Sequence, residues 1–138
     1  MKGIKNIRLK GYDYSSNGYY FVTICTNRGF PYLTDRNKEV VTASIGHMSE
    51  RIDGIVVDYY VIMPTHLHII IVLQECKLKL GEIVRRFKAL TSKESGVKLW
   101  QPNYYEHVIR NEMALRKIRE YIMNNPLAER IQVEQFYE

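Results

Sequence analysis

The segment that most constrains the fold runs from His66 to Leu73, where two histidines precede an unbroken apolar run, Ile69-Ile70-Ile71-Val72-Leu73. A short run of this kind, rich in β-branched residues and preceded by the turn signal Met63-Pro64-Thr65, predicts a strand that is buried on both faces. Such a strand lies inside a sheet. Side chains at its end are therefore held on a rigid element.

The two histidines, His66 and His68, are separated by one residue. Side chains alternate between the faces of a strand, so both imidazoles project from the same face while Leu67 points the other way. A pair of neutral ring nitrogens can bind a divalent cation, and a third ligand from elsewhere would leave positions open for a substrate oxygen. The alternative is a partly exposed pair of histidines that binds no metal.

The rest of the chain predicts three further strands and three helices. The strands are Tyr19 to Thr26, Ile55 to Ile62 and Tyr104 to Arg110, and the helices run from Asp35 or Asn37 to about Arg51, from Leu80 to about Ser95 before Gly96, and from the cap Asn111 to before Pro126. We expect the hairpin of the second and third strands to be central. The order of elements predicts an α+β fold in which an antiparallel sheet packs helices on one face, of ferredoxin-like or RRM-like type.

Length and composition predict one domain spanning residues 1–138, since 138 residues with 46% hydrophobic content suffice for one core and leave no room for a second. Twenty Lys and Arg against fifteen Asp and Glu favour a polyanionic partner. The two cysteines, Cys25 and Cys76, form no disulfide framework, which favours the cytoplasm. No apolar window approaches membrane-spanning length, so we expect no membrane partner.

The last predicted helix carries a second group of candidates. Tyr121 and Asn125 are four residues apart and share a helix face, with Lys117 one turn earlier. They could supply a nucleophile, a hard metal ligand and a phosphate contact. A tyrosine beside an apolar stripe can equally be a packing residue. The chemistry alone leaves Tyr104, Tyr105 and Tyr121 nearly level as nucleophiles, with Tyr121 slightly ahead because it lies on a helix.

Several motifs, in this order, resemble those of a known family. They are Arg8-Leu9-Lys10-Gly11-Tyr12-Asp13-Tyr14-Ser15, Tyr20-Phe21-Val22-Thr23-Ile24-Cys25-Thr26, Met63-Pro64-Thr65-His66-Leu67-His68, Arg86-Phe87-Lys88, the stretch from Trp100 to Asn111, and Tyr121-Ile122-Met123-Asn124-Asn125-Pro126. Together they resemble the REP-associated tyrosine transposases, a branch of the single-tyrosine HUH transposases. The resemblance covers nearly the whole chain, from about Arg8 to Pro126.

The resemblance implies an antiparallel sheet flanked by helices, a Mg²⁺ or Mn²⁺ ion and a tyrosine that attacks a phosphodiester in single-stranded or hairpin DNA. His66 and His68 match the metal-binding histidines, and Tyr121 matches the nucleophile. Asn125 matches the position of the third metal ligand, which is typically a glutamine in the insertion-sequence branch. The family includes both monomers and homodimers, and the sequence does not decide between them.

The sequence also offers candidate DNA contacts. Basic side chains that could hold the backbone are Arg85, Arg86, Lys88, Arg110 and Lys117, and aromatic rings that could stack on unpaired bases are Trp100, Tyr104 and Tyr105. We thus expect a DNA-nicking and strand-joining transposase. The alternatives are a catalytically inactive binder of single-stranded nucleic acid with the same fold, and, less favoured, a structural metal site in an unrelated enzyme.

Overall fold

The structure, a computed structural model, describes residues 17–124. Its main elements are β1 (Gly18–Cys25), α1 (Asp35–Arg51), β2 (Ile55–Met63), β3 (His66–Leu73), α2 (Leu80–Ser95), β4 (Tyr105–Ile109) and α3 (Glu112–Met123), with a short 3-10 turn at Asn27–Gly29. The predicted order of strands and helices is confirmed. Asn125 and Pro126, predicted to be a metal ligand and to end the last helix, lie outside the described residues.

The four strands form one antiparallel sheet in the order β2-β3-β1-β4. This is the order of a ferredoxin-like fold, in which α1 leads from β1 to the edge strand β2 and the hairpin of β2 and β3 places β3 beside β1. The prediction that β2 is central was wrong, because β1 pairs with both β3 and β4 and leaves β2 at the edge. The sequence YYFVTIC in β1 explains this, since it is apolar or buried on both faces.

The helices do not all pack on one face, contrary to the sequence-based prediction. On the first face, Tyr20, Val22 and Ile24 of β1 join one core with apolar side chains of α1 and α2. On the second face, Phe21 and Ile70 form a smaller core with residues of α3. Because consecutive side chains of β1 belong to different cores, both faces of the sheet are apolar and each is covered by helix.

The third helix, α3, begins after the cap residue that the sequence predicts. The side chain of Asn111 caps it by accepting a hydrogen bond from the backbone N–H of Ala114 at 2.8 Å. Ile118 and Ile122 are buried against the second face, whereas Leu115 is only partly buried. The helix is thereby attached to the sheet through one apolar stripe.

The edge strand β2 contains a bulge. Val57 pairs with Ile71 and Tyr60 pairs with Ile69, so Asp58 and Tyr59 together oppose the single residue Ile70.

Among the helices of the described residues, none is both long enough and apolar enough to cross a membrane.

Candidate functional site

The histidine pair lies at the start of β3, on the second face of the sheet. The ring centroids of His66 and His68 are 4.7 Å apart. His66 is half-buried, whereas His68 is 2% exposed and its ring stacks on Phe21. The strand therefore brings two imidazoles together at one point, as the alternation of side chains predicts.

Each imidazole is held by a threonine hydroxyl. Thr23 Oγ1 lies 2.9 Å from Nδ1 of His68, and Thr65 Oγ1 lies 3.0 Å from Nδ1 of His66. The contact with Thr23 follows from register, since Thr23 and His68 are directly opposed in β1 and β3. Sequence reasoning did not select either threonine. Thr65 could have been found as the neighbour of His66, but Thr23 is found only once the register is known.

Burial keeps His68 uncharged. Its pKa is lowered from 6.5 to about 3, first by burial and then by the nearby His66. A neutral imidazole carries a lone pair on one ring nitrogen, which is the form that binds metal ions. In the tautomer with the proton on Nδ1, that nitrogen donates to Thr23 Oγ1 and the lone pair lies on Nε2.

Tyr121 of α3 reaches this pair. Its hydroxyl lies 3.3 Å from Nε2 of His68, and the two rings meet edge to face with centroids 5.3 Å apart. The side chain is 6% exposed and is set into the sheet by its neighbours Ile118 and Ile122. The phenol oxygen therefore lies beside Nε2, which carries the lone pair in the tautomer protonated on Nδ1.

The structure separates the three tyrosines that the sequence left level. Tyr104 is buried in the core of the first face, on the other side of the sheet from the histidines. Tyr105 is paired in register with Thr23 and so lies on the second face, but on β4 at the sheet edge. Tyr121 is the tyrosine whose hydroxyl is placed at His68.

The donors of the site suit a divalent ion with open coordination positions. Two imidazoles whose Nδ1 atoms contact threonine hydroxyls can each present the other ring nitrogen to a divalent cation. Among residues 17–124, His, Cys, Asp and Glu side chains form no group of three that could hold a metal ion. A third protein ligand would have to be an amide or hydroxyl oxygen or come from outside this range, and the predicted ligand Asn125 lies there.

Two of the predicted DNA contacts are near α3. Arg110 is exposed between β4 and the helix, and Lys117 is exposed one turn before Tyr121. Arg85 and Arg86 are also exposed, but they belong to α2 on the opposite face and both pair with Glu82, at 2.6 and 2.8 Å. The structure does not bring these two arginines to the histidine pair.

Lys88 and Trp100 are two further residues that the sequence offers as DNA contacts, and the structure shows Lys88 half-buried and Trp100 buried. Lys88 is half-buried, its Nζ donates to the carbonyls of Gln101 and Asn103 at 2.7 and 2.9 Å, and burial lowers its pKa to about 8. Trp100 is 3% exposed and its Nε1 donates to Thr91 Oγ1 at 2.8 Å. Both side chains fix the segment before β4 to α2, so a base cannot stack on Trp100 in this conformation.

A known protein family matches most of the chain. The sequence profile of the family described as IS200-like transposase matches residues 14–125. An uncharacterized protein of Haemophilus influenzae strain Rd KW20 is 37% identical, over 89% of this chain and 88% of that protein. The REP-associated tyrosine transposase of Escherichia coli K12 is 30% identical, over 83% of this chain and 69% of the relative.

Solved structures agree with the fold. A REP-associated tyrosine transposase bound to a REP hairpin superposes with a TM-score of 0.76 at 27% identity, covering 89% of this chain and 74% of that one. A protein of Deinococcus radiodurans R1, proposed to be a transposase, has a TM-score of 0.59 at 18% identity, covering 86% of this chain and 96% of that one, and supports the fold alone.

Proposed function

Because the chain belongs to the IS200-like transposase family, which includes the REP-associated tyrosine transposases, we propose that it nicks and rejoins single-stranded DNA with Tyr121 as its nucleophile. The observation that carries this proposal is the placement of the Tyr121 hydroxyl 3.3 Å from Nε2 of His68. A phenol held on a helix beside two imidazoles that could bind a divalent ion is suited to attack a phosphodiester whose negative charge such an ion would offset.

The reaction conserves the phosphodiester bond. The phenol of Tyr121 loses its proton and its oxygen attacks the phosphorus, while the bond from phosphorus to the 3′-oxygen breaks. The 3′-oxygen takes up a proton and leaves as a hydroxyl, and the 5′-phosphate stays on the tyrosine. The 3′-hydroxyl of another strand can reverse these steps, which releases Tyr121 and joins the strands without ATP.

His66, His68 and Asn125 are the residues that we propose to hold Mg²⁺ or Mn²⁺. When bound, the ion would polarise the scissile phosphate and stabilise negative charge on its oxygens. Burial keeps His68 neutral, and the chain also orients both imidazoles. Thr23 and Thr65 do this by contacting Nδ1, at 2.9 and 3.0 Å.

Arg110 and Lys117 are the basic residues best placed to hold the DNA backbone, since both are exposed next to the helix that carries Tyr121. A hairpin is the form of DNA that we propose as substrate, because a REP hairpin is bound by the structural relative at 27% identity. A homodimer is not required by the geometry of the described site, since His66, His68 and Tyr121 meet within one chain.

Formation of a covalent adduct tests the proposal. The purified full-length protein is mixed with a 5′- and 3′-labelled single-stranded hairpin and Mn²⁺, then denatured before electrophoresis. We expect the label on the 3′ side of the nick to migrate with the protein, and chelation of the metal to abolish that band. Binding of the hairpin without an adduct would instead indicate the inactive nucleic-acid binder.

A further inference from the structure

Arg119 of α3 forms an ion pair with the bulge of β2. Its Nε and Nη2 donate to the two carboxylate oxygens of Asp58 at 2.7 and 2.9 Å, a bidentate geometry. The same guanidinium lies over the ring of Tyr59, 5.3 Å from the centroid. Both side chains of the pair are mostly shielded, with exposures of 33% for Arg119 and 17% for Asp58.

The bulge makes this arrangement possible. In a regular strand, consecutive side chains point to opposite faces, so Asp58 and Tyr59 could not both meet one guanidinium. Because these two residues together oppose Ile70, the strand is bent locally and both side chains can turn towards α3. Ile70 itself belongs to the core beneath that helix.

The pair fixes the end of α3 that carries the nucleophile. The start of the helix follows directly from β4 at one edge of the sheet, and Arg119 attaches it to β2 at the other edge. Between these points the helix is held by Ile118 and Ile122, whose apolar contacts are not directional. A bidentate ion pair is directional, so it restricts both the rotation and the sliding of the helix.

We propose that the Asp58–Arg119 pair is a positioning device that sets Tyr121 at His68, an inference that rests on the proposed function. Tyr121 is two residues beyond Arg119, so a small rotation of α3 moves its hydroxyl away from the attack position. Displacement of a reacting group by about 1 Å can lower a rate by about 100-fold. Neither Asp58 nor Arg119 needs to touch the DNA for this effect.

Single-turnover rates of adduct formation, at saturating hairpin DNA and far below the unfolding temperature, test the proposal. We expect Asp58→Asn to lower this rate by about 10- to 100-fold with unchanged affinity for the hairpin. The reversed pair, Asp58→Arg with Arg119→Asp, should recover part of the loss. Glu82→Gln is the control, because it removes ion pairs of α2 on the opposite face.

The rate at full occupancy distinguishes positioning from stability, since a variant that is fully folded would react at the wild-type rate if the pair contributed stability alone. A wild-type rate for Asp58→Asn, or an equal loss in Glu82→Gln, overturns the positioning role. Absence of an adduct in the wild type would overturn the proposed function instead, so the two failures are distinguishable. Tyr121→Phe, which should form no adduct, gives the background signal of the assay.

Discussion

At the scale of single residues, His68 is the side chain that connects the parts of the candidate site. One hydroxyl contacts each of its ring nitrogens, Thr23 at Nδ1 and Tyr121 at Nε2. Its ring also rests on Phe21, so it belongs to the core as much as to the site. The sequence predicts that His66 and His68 share a face, but not that one of them is almost fully covered, because burial depends on the helix that packs above.

Replacement of Tyr121 by Phe separates attack from binding. The ring is retained and one hydrogen bond to His68 is lost, so we expect the free energy of unfolding to change by about 1 kcal/mol. The variant should still bind the hairpin and form no adduct, as measured by denaturing electrophoresis. Tyr105→Phe is the matched control on the same sheet face and should retain adduct formation. If Tyr105→Phe forms no adduct while Tyr121→Phe forms one, the nucleophile lies on β4.

His66→Ala tests the metal site more cleanly than a change at His68, because His66 is only half-buried and its loss leaves a smaller cavity. We expect an essentially unchanged fold by circular dichroism and a lost or much weakened Mn²⁺ site by calorimetry. Adduct formation should be lost as well. Unaltered Mn²⁺ affinity in this variant would contradict its assignment as a ligand.

At the scale of elements, helical spacing predicts α2 and α3 well, but it does not say which face of the sheet each helix covers. Lys88 shows the limit: the helical pattern places it on the exposed side of α2, and the segment before β4 then folds over it. An exposed position on an isolated helix is not an exposed position in the protein. The edge position of β2 cannot be predicted from its own sequence either, because strand pairing depends on the whole sheet.

Lys88 and Lys117 should therefore respond differently to substitution. Lys88→Met leaves two carbonyls without their donor, so we expect a loss of about 1–3 kcal/mol in the free energy of unfolding and an unchanged salt dependence of DNA binding. Lys117→Gln should cost less than about 0.5 kcal/mol but reduce the log-log salt slope by about 0.7. Urea denaturation and hairpin titrations at several salt concentrations measure both. A reduced salt slope for Lys88→Met with little change in the free energy of unfolding would instead support Lys88 as a DNA contact.

At the scale of the whole molecule, the element order predicts an α+β fold of ferredoxin-like type, because each element has a clear periodicity or cap, but it does not predict which strands lie at the edges. The site is less predictable, since its parts at positions 23, 66, 68 and 121 are distant in the chain. The motifs around His66 and Tyr121 identify two of its elements through their resemblance to a family. The β2 bulge and the partner of Arg119 leave no comparable signal in one sequence.

The stability of the metal-free protein should fall in acid. Since the pKa of His68 is about 3 in the folded protein and 6.5 in the unfolded chain, the unfolded state binds more protons between these values. The free energy of unfolding should therefore be highest above pH 6.5 and decrease below it, by up to about 1.4 kcal/mol per pH unit. His107 adds to this trend, because burial and then Arg110 lower its pKa to about 4.

Urea denaturation with a chelator at several pH values between 4 and 8 measures this slope. His68→Gln should have a shallower slope than the wild type, because the group that titrates differently has been removed. His47→Gln, which replaces an exposed histidine of α1, is the control for loss of one imidazole. Equal slopes for the wild type and His68→Gln would show that His68 is not held neutral by the fold.

The place of α3 in the chain also orders events during synthesis. The ribosome completes the sheet and the histidine pair before it reaches the helix that carries Tyr121. Until then the growing chain lacks Tyr121, the proposed nucleophile, and the apolar side chains of Phe21, Ile70 and Ile109 have no helix packed against them. When α3 packs against the sheet, it covers this apolar surface and at the same time brings Tyr121 to the histidine pair. An unfinished chain that lacks α3 therefore cannot nick the DNA of its own cell by the proposed reaction.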